Sequence, residues 1–377
     1  MGRADGLNGQ WIGKYTGMTS GDIHVNIDED ESNYRGVAYL FTSEPQLPIA
    51  VAYFSTPNKG RDFSFRTEMI HAIDLGTSSA VPWNSVKAKY PEGTAFSDYA
   101  DVRGSFDQNT LTMSWVTDIG VTGSCVLPRS KAGEPSEIVP LEQDWSTYKN
   151  HGIQLASKRL LFRGQNNPWR LRTPFHRFGR ANLHMFVLKD MPALHRHLSA
   201  RTKHVFRLEN QEEYGAFLNL IQHHGYPTPI LDWTYSPYVA AFFAYRGISN
   251  EQAASAAPEA KVRILIFDSG EWTNSFQAVT LLVHPQLHVT VREFIAIENE
   301  RMIPQQAAST VTSIDDMETY IRSRETDKKK YLQAIDLPVC ERKRVIRELS
   351  YMGITAGSLF PGLDGACEEL TERNFEF

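Results

Sequence analysis

From about residue 9 to residue 127, apolar and polar positions alternate with the two-residue period of an extended chain. Runs such as Asp22-Ile23-His24-Val25-Asn26-Ile27 and Thr110-Leu111-Thr112-Met113-Ser114-Trp115-Val116 set every second side chain on one face. Gly17 to Gly21, Pro57-Asn58-Lys59-Gly60 and Asp107-Gln108-Asn109 punctuate these runs as turns. The pattern predicts about eight or nine short strands and no helix, hence an antiparallel sandwich or up-and-down barrel. Trp11, Tyr15, Tyr39, Tyr53, Phe54, Phe65 and Trp115 supply aromatics for a plain core, or for a ligand cup or partner surface.

The texture changes after residue 127. Residues 128–140 are rich in Pro, Ser and charge and poor in large apolar side chains, which marks a linker. The expected organisation is a β-rich domain over 1–130, a linker over 131–145 and a mixed α/β domain over 146–377, α+β as a whole. In the second domain a short strand over 159–164 ends on Gly164. Helical stretches are expected over 182–201, interrupted at Pro192, and over 211–223, where Phe217, Leu220 and Ile221 share a face. A strand is expected over 261–267, with shorter ones near 280–283, 288–291 and 294–297. Helices are expected near 314–323 and 341–352, and a last one from 362–364.

A chain of 377 residues with 41% hydrophobic and 11% aromatic residues can bury more than one core, which excludes whole-chain disorder. Lys+Arg 39 against Asp+Glu 44 gives a net charge of -5, against a generally basic nucleic-acid binder. No apolar run reaches the roughly 18 residues of a membrane helix. The N-terminus lacks an apolar leader, and Gly6 stands where a myristoylated Gly2 would be followed by a hydroxyl residue. Cys125, Cys340 and Cys367 are odd in number and far apart, which suits a reducing compartment. A cytoplasmic protein with no membrane partner is expected, with room for a homo-oligomer.

Two segments carry unusual chemistry. Arg163 stands between Phe162 and Gly164 at a strand end, where an arginine is costly to bury without an anion beside it. That anion is either a ligand or an internal carboxylate such as Asp232. Gly164 would let a ligand approach the backbone. Ser236 followed by Pro237 is a helix start, and Ala240, Ala241, Phe243 and Ala244 form a face suited to packing on a sheet. The segment from Asp232 to Ser236 therefore precedes a helix N-terminus, where backbone N–H groups favour phosphate. Capping alone explains Asp232 and Ser236, but not Trp233 and Tyr235 beside them. His195, His197 and His204 read as a surface helix rather than a metal site, no metal is expected, and Cys340 has no identifiable histidine partner.

Four segments resemble the FRG-domain family, named for its Phe/Tyr-Arg-Gly motif. They are LLFRGQ from Leu160, QHHGYPTPILDWTYSPYVAAFFA from Gln222, NERMIPQQ from Asn299 and GITAGSLFPGLDG from Gly353. The resemblance covers about 155–369 and stops short of the β-rich part. The first two segments are also similar, more distantly, to Arg-Ser-Glu type ADP-ribosyltransferases. That likeness implies an ADP-ribosyltransferase-like fold with NAD as substrate. Arg163 would clamp the pyrophosphate, Gly164 would hold the carboxamide, and Ser236 or Thr234 would support the nicotinamide ribose. A late carboxylate or amide would stabilise the oxocarbenium-like transition state. For it the sequence offers Glu298 and Glu300, expected on one face of a strand, or Gln305.

The implied catalytic set is Arg163, Ser236, Glu298, Glu300 and Gln305. The implied cofactor-binding set is Arg163, Gly164, Gln165, Asp232, Trp233, Thr234 and Tyr235. The implied function is an NAD-using ADP-ribosyltransferase or NAD glycohydrolase-like effector, of a kind suited to bacterial or antiphage defence. The β domain would act as sensor or substrate clamp, and the acceptor, protein or nucleic acid, stays open. The alternative is a non-catalytic module that binds a nucleotide or phosphate-bearing ligand. A nuclease comes third, because Asp315 and Asp316 open a helix instead of clustering for Mg²⁺.

Overall fold

The computed structural model describes residues 6–155 and 159–376. The N-terminal reading around Gly2 lies outside the described residues. Ten strands make the first sheet: β1 (Gly9–Gly17), β2 (Gly21–Glu29), β3 (Tyr34–Thr42), β4 (Ala50–Ser55), β5 (Asp62–Arg66), β6 (Met69–Asp74), β7 (Ser79–Val81), β8 (Ala100–Phe106), β9 (Thr110–Thr117) and β10 (Thr122–Pro128). Their order is β5-β8-β9-β10-β1-β2-β3-β4-β6-β7, antiparallel throughout. The alternation is plainest in β10, where Gly123, Cys125 and Leu127 point inward.

This sheet curls around its core without closing into the expected barrel or dividing into a sandwich. β5 and β6 follow one another in the chain, yet each pairs at a different side of the sheet. At the bend between them the Thr67 N–H donates to the Ala100 carbonyl and the Glu68 N–H to the Tyr53 carbonyl. Phe65 of β5 stacks on Phe54 of β4 at 4.7 Å between ring centres. Side-chain packing thus spans the gap where a full ladder would have made a closed barrel.

The second sheet has the order β11-β17-β14-β12-β13-β16-β15. Its strands are β11 (Leu141–Glu142), β12 (Leu160–Gln165), β13 (Ile230–Thr234), β14 (Lys261–Asp268), β15 (Val289–Arg292), β16 (Ala307–Thr312) and β17 (Leu332–Pro338). β11 runs parallel to β17 and the other neighbours are antiparallel. The helix Pro237–Tyr245 covers one face, with Phe162, Ile264 and Ile266 beneath it. Leu161, Trp233, Leu265 and Phe267 belong to the core on the other face.

Residues 280–283 and 294–297 are not strands. Leu282, Val283, Phe294 and Ile297 instead anchor loops onto the core around the helix Gln211–His223. A short apolar run cannot distinguish a strand from an anchored loop. Residues 131–145 hold a 3-10 turn over Lys131–Gly133, a Pro135–Trp169 bridge and β11, so they are tied to the second sheet.

The two sheets meet through buried polar contacts. Asp28 of β2 accepts from the Ala181 and Asn182 N–H groups at 2.8 and 2.9 Å and pairs with Arg180 at 2.7 Å. Gln10 donates to the Ser313 carbonyl and accepts from the Asp315 N–H. Asn26 and Asp28 are buried although the β2 core is formed by Ile23, Val25 and Ile27, because the outer face of this strand docks on the second unit.

Candidate functional site

β12 and β13 share a single register pair, Phe162 with Thr234, whereas β12 makes six with β14 and β13 makes five with β16. The second sheet splits at this point. A cleft of about 380 Å³ opens at the split, within the range that takes a small-molecule ligand. All four separated motifs reach it: Phe162, Arg163 and Gly164 from β12; Gln222, His223, Asp232, Trp233 and Thr234 around β13; Asn299, Arg301, Met302 and Gln305; and Phe360.

Arg163 is partly buried. Its Nη1 donates to the backbone carbonyl of Asp232 at 2.5 Å, and its Nε is enclosed with no hydrogen-bond partner. Burial pulls its pKa down to about 10, with the Arg177 charge acting the same way and Asp232 opposing. The group therefore stays charged at neutral pH. The Asp232 side chain opens into the cleft but is ringed by protein. That desolvation raises its pKa, against the Arg163 charge, a hydrogen bond from Gln222 and the Arg177 charge.

Two further arginines line the cleft. Arg246 is held by Glu368 in a bidentate pair at 2.7 and 2.8 Å and lies 3.9 Å over the Phe360 ring. Arg301 lies 5.1 Å from the same ring, and burial followed by the Arg246 charge lowers its pKa. Asn299 donates to Asn219, and its buried Oδ1 is without a partner. Burial first, then Arg301, pushes His223 down to about 4, so it is neutral at pH 7. Among the described residues Asp232 is the only carboxylate lining the cleft, which is electropositive and walled by Phe162, Trp233, Phe243 and Phe360.

Of the residues singled out by sequence, the cleft brings together Arg163, Gly164, Asp232, Trp233, Thr234 and Gln305. Thr234 Oγ1 donates to the Gln305 carbonyl at 2.7 Å, and Gln305 Nε2 donates to the Leu359 carbonyl at 2.9 Å. Ser236 is not in the lining: it is buried as the N-cap of the helix Pro237–Tyr245 and accepts from the Val239 N–H at 3.3 Å. Gln165 is buried outside the lining, and Tyr235 is exposed, donating to Glu293 at 2.5 Å.

Glu298 and Glu300 are exposed in a turn, not on a strand, and flank the buried Asn299. Glu298 has φ 54° and accepts from the His204 N–H, outside the cleft. Sequence reasoning missed Asn299 for this reason, and missed Asn219, Arg246 and Arg301 too. Arg301 lay within a quoted motif, but nothing in its spacing distinguished it from a surface charge.

Gly164 has a reason other than ligand approach. A Cβ there would lie 1.9 Å from the Ala240 carbonyl oxygen and 2.5 Å from the Ala244 nitrogen. Glycine lets the helix Pro237–Tyr245 seat directly on β12. Gly164→Ala is therefore expected to destabilise the fold by about 3 kcal/mol or more, at or beyond the usual cost of overpacking. Urea titration measures this, and a change under about 0.5 kcal/mol would refute it.

No curated protein matches the chain. Among solved structures, a redesigned beta barrel aligns at 12% identity over 33% of this chain and 91% of its own, with a TM-score of 0.23. The FRG domain family model matches residues 158–253, the stretch holding β12, β13 and the helix Pro237–Tyr245, so the part of the chain that forms one side of the cleft is similar to the FRG domain.

Proposed function

We propose that the cleft binds a phosphate-bearing nucleotide, with a dinucleotide such as NAD as the first class to test. The observation that carries this reading is Arg163, a charged side chain at the sheet split whose one hydrogen bond goes to a backbone carbonyl and whose enclosed Nε has no partner. The Arg163 guanidinium lines the cleft, and a phosphate oxygen there would accept a charge-assisted bond from its cleft-facing side. Arg301 and Arg246 extend the positive field, and the aromatic walls offer stacking surfaces for a base or nicotinamide ring.

A second reading, cleavage of the nicotinamide–ribose bond, is favoured by Asp232 as the carboxylate in the lining. In that reaction nicotinamide leaves with the bonding electron pair. Water or an acceptor hydroxyl then bonds to the anomeric carbon and gives up its proton. Asp232 would stabilise the oxocarbenium-like centre and accept that proton, in the place that Glu298 and Glu300 do not reach.

Thermal melts with NAD, ADP-ribose and inorganic phosphate, run alongside an assay for released nicotinamide, test both readings. Stabilisation by NAD and ADP-ribose is expected, about 2.7 kcal/mol at a hundredfold excess over Kd. No shift with either nucleotide would sink the binding reading. Nicotinamide release that persists in Asp232→Asn would sink the assignment of Asp232.

A further inference from the structure

We propose that the curled β sheet is itself a binding unit for an uncharged, mainly apolar small molecule of single-ring or short-chain size. It encloses a cavity of about 190 Å³ at the end bearing the β1–β2, β3–β4 and β9–β10 turns. The space exists because alanines stand where the pattern would take larger residues. Ala38 of β3 and Ala52 of β4 face each other in register, and both line the cavity, as does Ala100 of β8.

The walls grade along the cavity. Ile23, Phe54, Val102 and Met113 are buried at its base, whereas Leu47 is partly exposed and Ile119 is 45% exposed at its mouth. Apolar side chains kept at an open mouth have a use if something apolar passes them. Among the described residues no Asp, Glu, Lys, Arg or His side chain lines the space, so a charged ligand would lose its hydration with no compensating partner. Hydroxyls of Thr19, Thr42, Ser97 and Thr122 line the outer part and can serve one hydroxyl or carbonyl group on the ligand.

Size sets the class. An apolar cavity of about 150 Å³ stays dry and takes up benzene, so this one has room for a single ring with a substituent or a chain of similar bulk. The second unit docks on β1, β2 and β3 through Gln10, Asp28 and Tyr39, and none of these lines the cavity.

The test uses the whole 377-residue chain with methionine methyl groups labelled by ¹³C. n-Hexanol should shift the Met113 signal saturably and leave Met317 and Met352 of the second unit in place. Hexanoate at pH 7.5 should bind at least tenfold more weakly. Ala52→Leu, which fills the space, should fold with an unchanged or higher Tm and lose the Met113 response; Ala38→Val serves the same purpose if Ala52→Leu fails to fold. A wild-type Met113 signal indifferent to n-hexanol overturns the proposal, as does equal binding of hexanoate or an undiminished response in a folded cavity-filled variant.

Discussion

Arg163→Ala is expected to lower affinity for a phosphate-bearing nucleotide at least tenfold while leaving a folded protein. Each hydrogen bond from a guanidinium to a phosphate contributes about 1.5–3 kcal/mol, and about 1.4 kcal/mol is one decade in Kd. The structural cost is a hydrogen bond lost at the backbone carbonyl of Asp232, together with a charge that offsets the burial of the Asp232 carboxyl, which can take up a proton in its place. Leaving that carbonyl unpaired costs about 1–3 kcal/mol, a fall of some degrees in Tm. Arg163→Lys should recover only part of the affinity, because an ammonium cannot reproduce the planar fork. Calorimetric titration with NAD or ADP-ribose, paired with melts of both variants, reads the two effects apart. A collapse of Tm in Arg163→Ala, with no nucleotide-induced shift in the wild type, would make Arg163 a structural residue and remove the basis of the binding reading.

The protein should also lose stability as pH falls from about 6.5 to about 4. Burial pushes His24, His184 and His288 down to about 4 from an ordinary value of 6.5. All three gather where the two sheets meet, His184 against Tyr39 at 2.5 Å and His288 against Ser313 at 3.2 Å. His176, enclosed beside Thr173 and near Arg172, is pushed down to about 3. Above pH 6.5 these groups are neutral in folded and unfolded chains alike, and stability is fully present. Below it the unfolded chain takes up protons that the folded one refuses, so stability falls with falling pH until the folded values are reached.

Each such histidine removes about 1.4 kcal/mol per pH unit in that window. Asp28, Asp232 and Asp315 act in the opposite sense, because burial raises their carboxyls and the neutral form is favoured as pH falls. Urea titrations at pH 7.5, 6 and 5 should show the midpoint dropping steadily. His184→Gln should flatten the slope by roughly one histidine's share, about 1.4 kcal/mol per unit. A midpoint constant from pH 7.5 to 5 would contradict this account of the junction.

The alternation of residues 9–127 determined an antiparallel β unit, since a period of two can bury only one face of a strand. It left closure undecided. Whether the sheet closes depends on where β5 and β6 find partners, which is a matter of pairing between strands distant in sequence. Ser236-Pro237 likewise placed a helix start correctly, because capping is local chemistry. The same local chemistry keeps Ser236 out of the cleft lining, because its hydroxyl caps its own helix.

The sequence by itself singled out four segments that the fold brings to one cleft, although they span from Leu160 to Gly365. Only the tertiary structure decided which side chains within them face it. Glu298 and Glu300 turned outward because their segment is a turn with a left-handed residue, where period-two reasoning has no hold, and Asn299 turned inward between them. Gly164 faces a helix backbone that reaches it from some eighty residues on along the chain. The cleft itself exists because β12 and β13 touch at a single pair, and the cavity because Ala38 meets Ala52. Both are vacancies between elements. No local pattern encodes a vacancy, because its shape is set by strands that become neighbours only when the chain has folded.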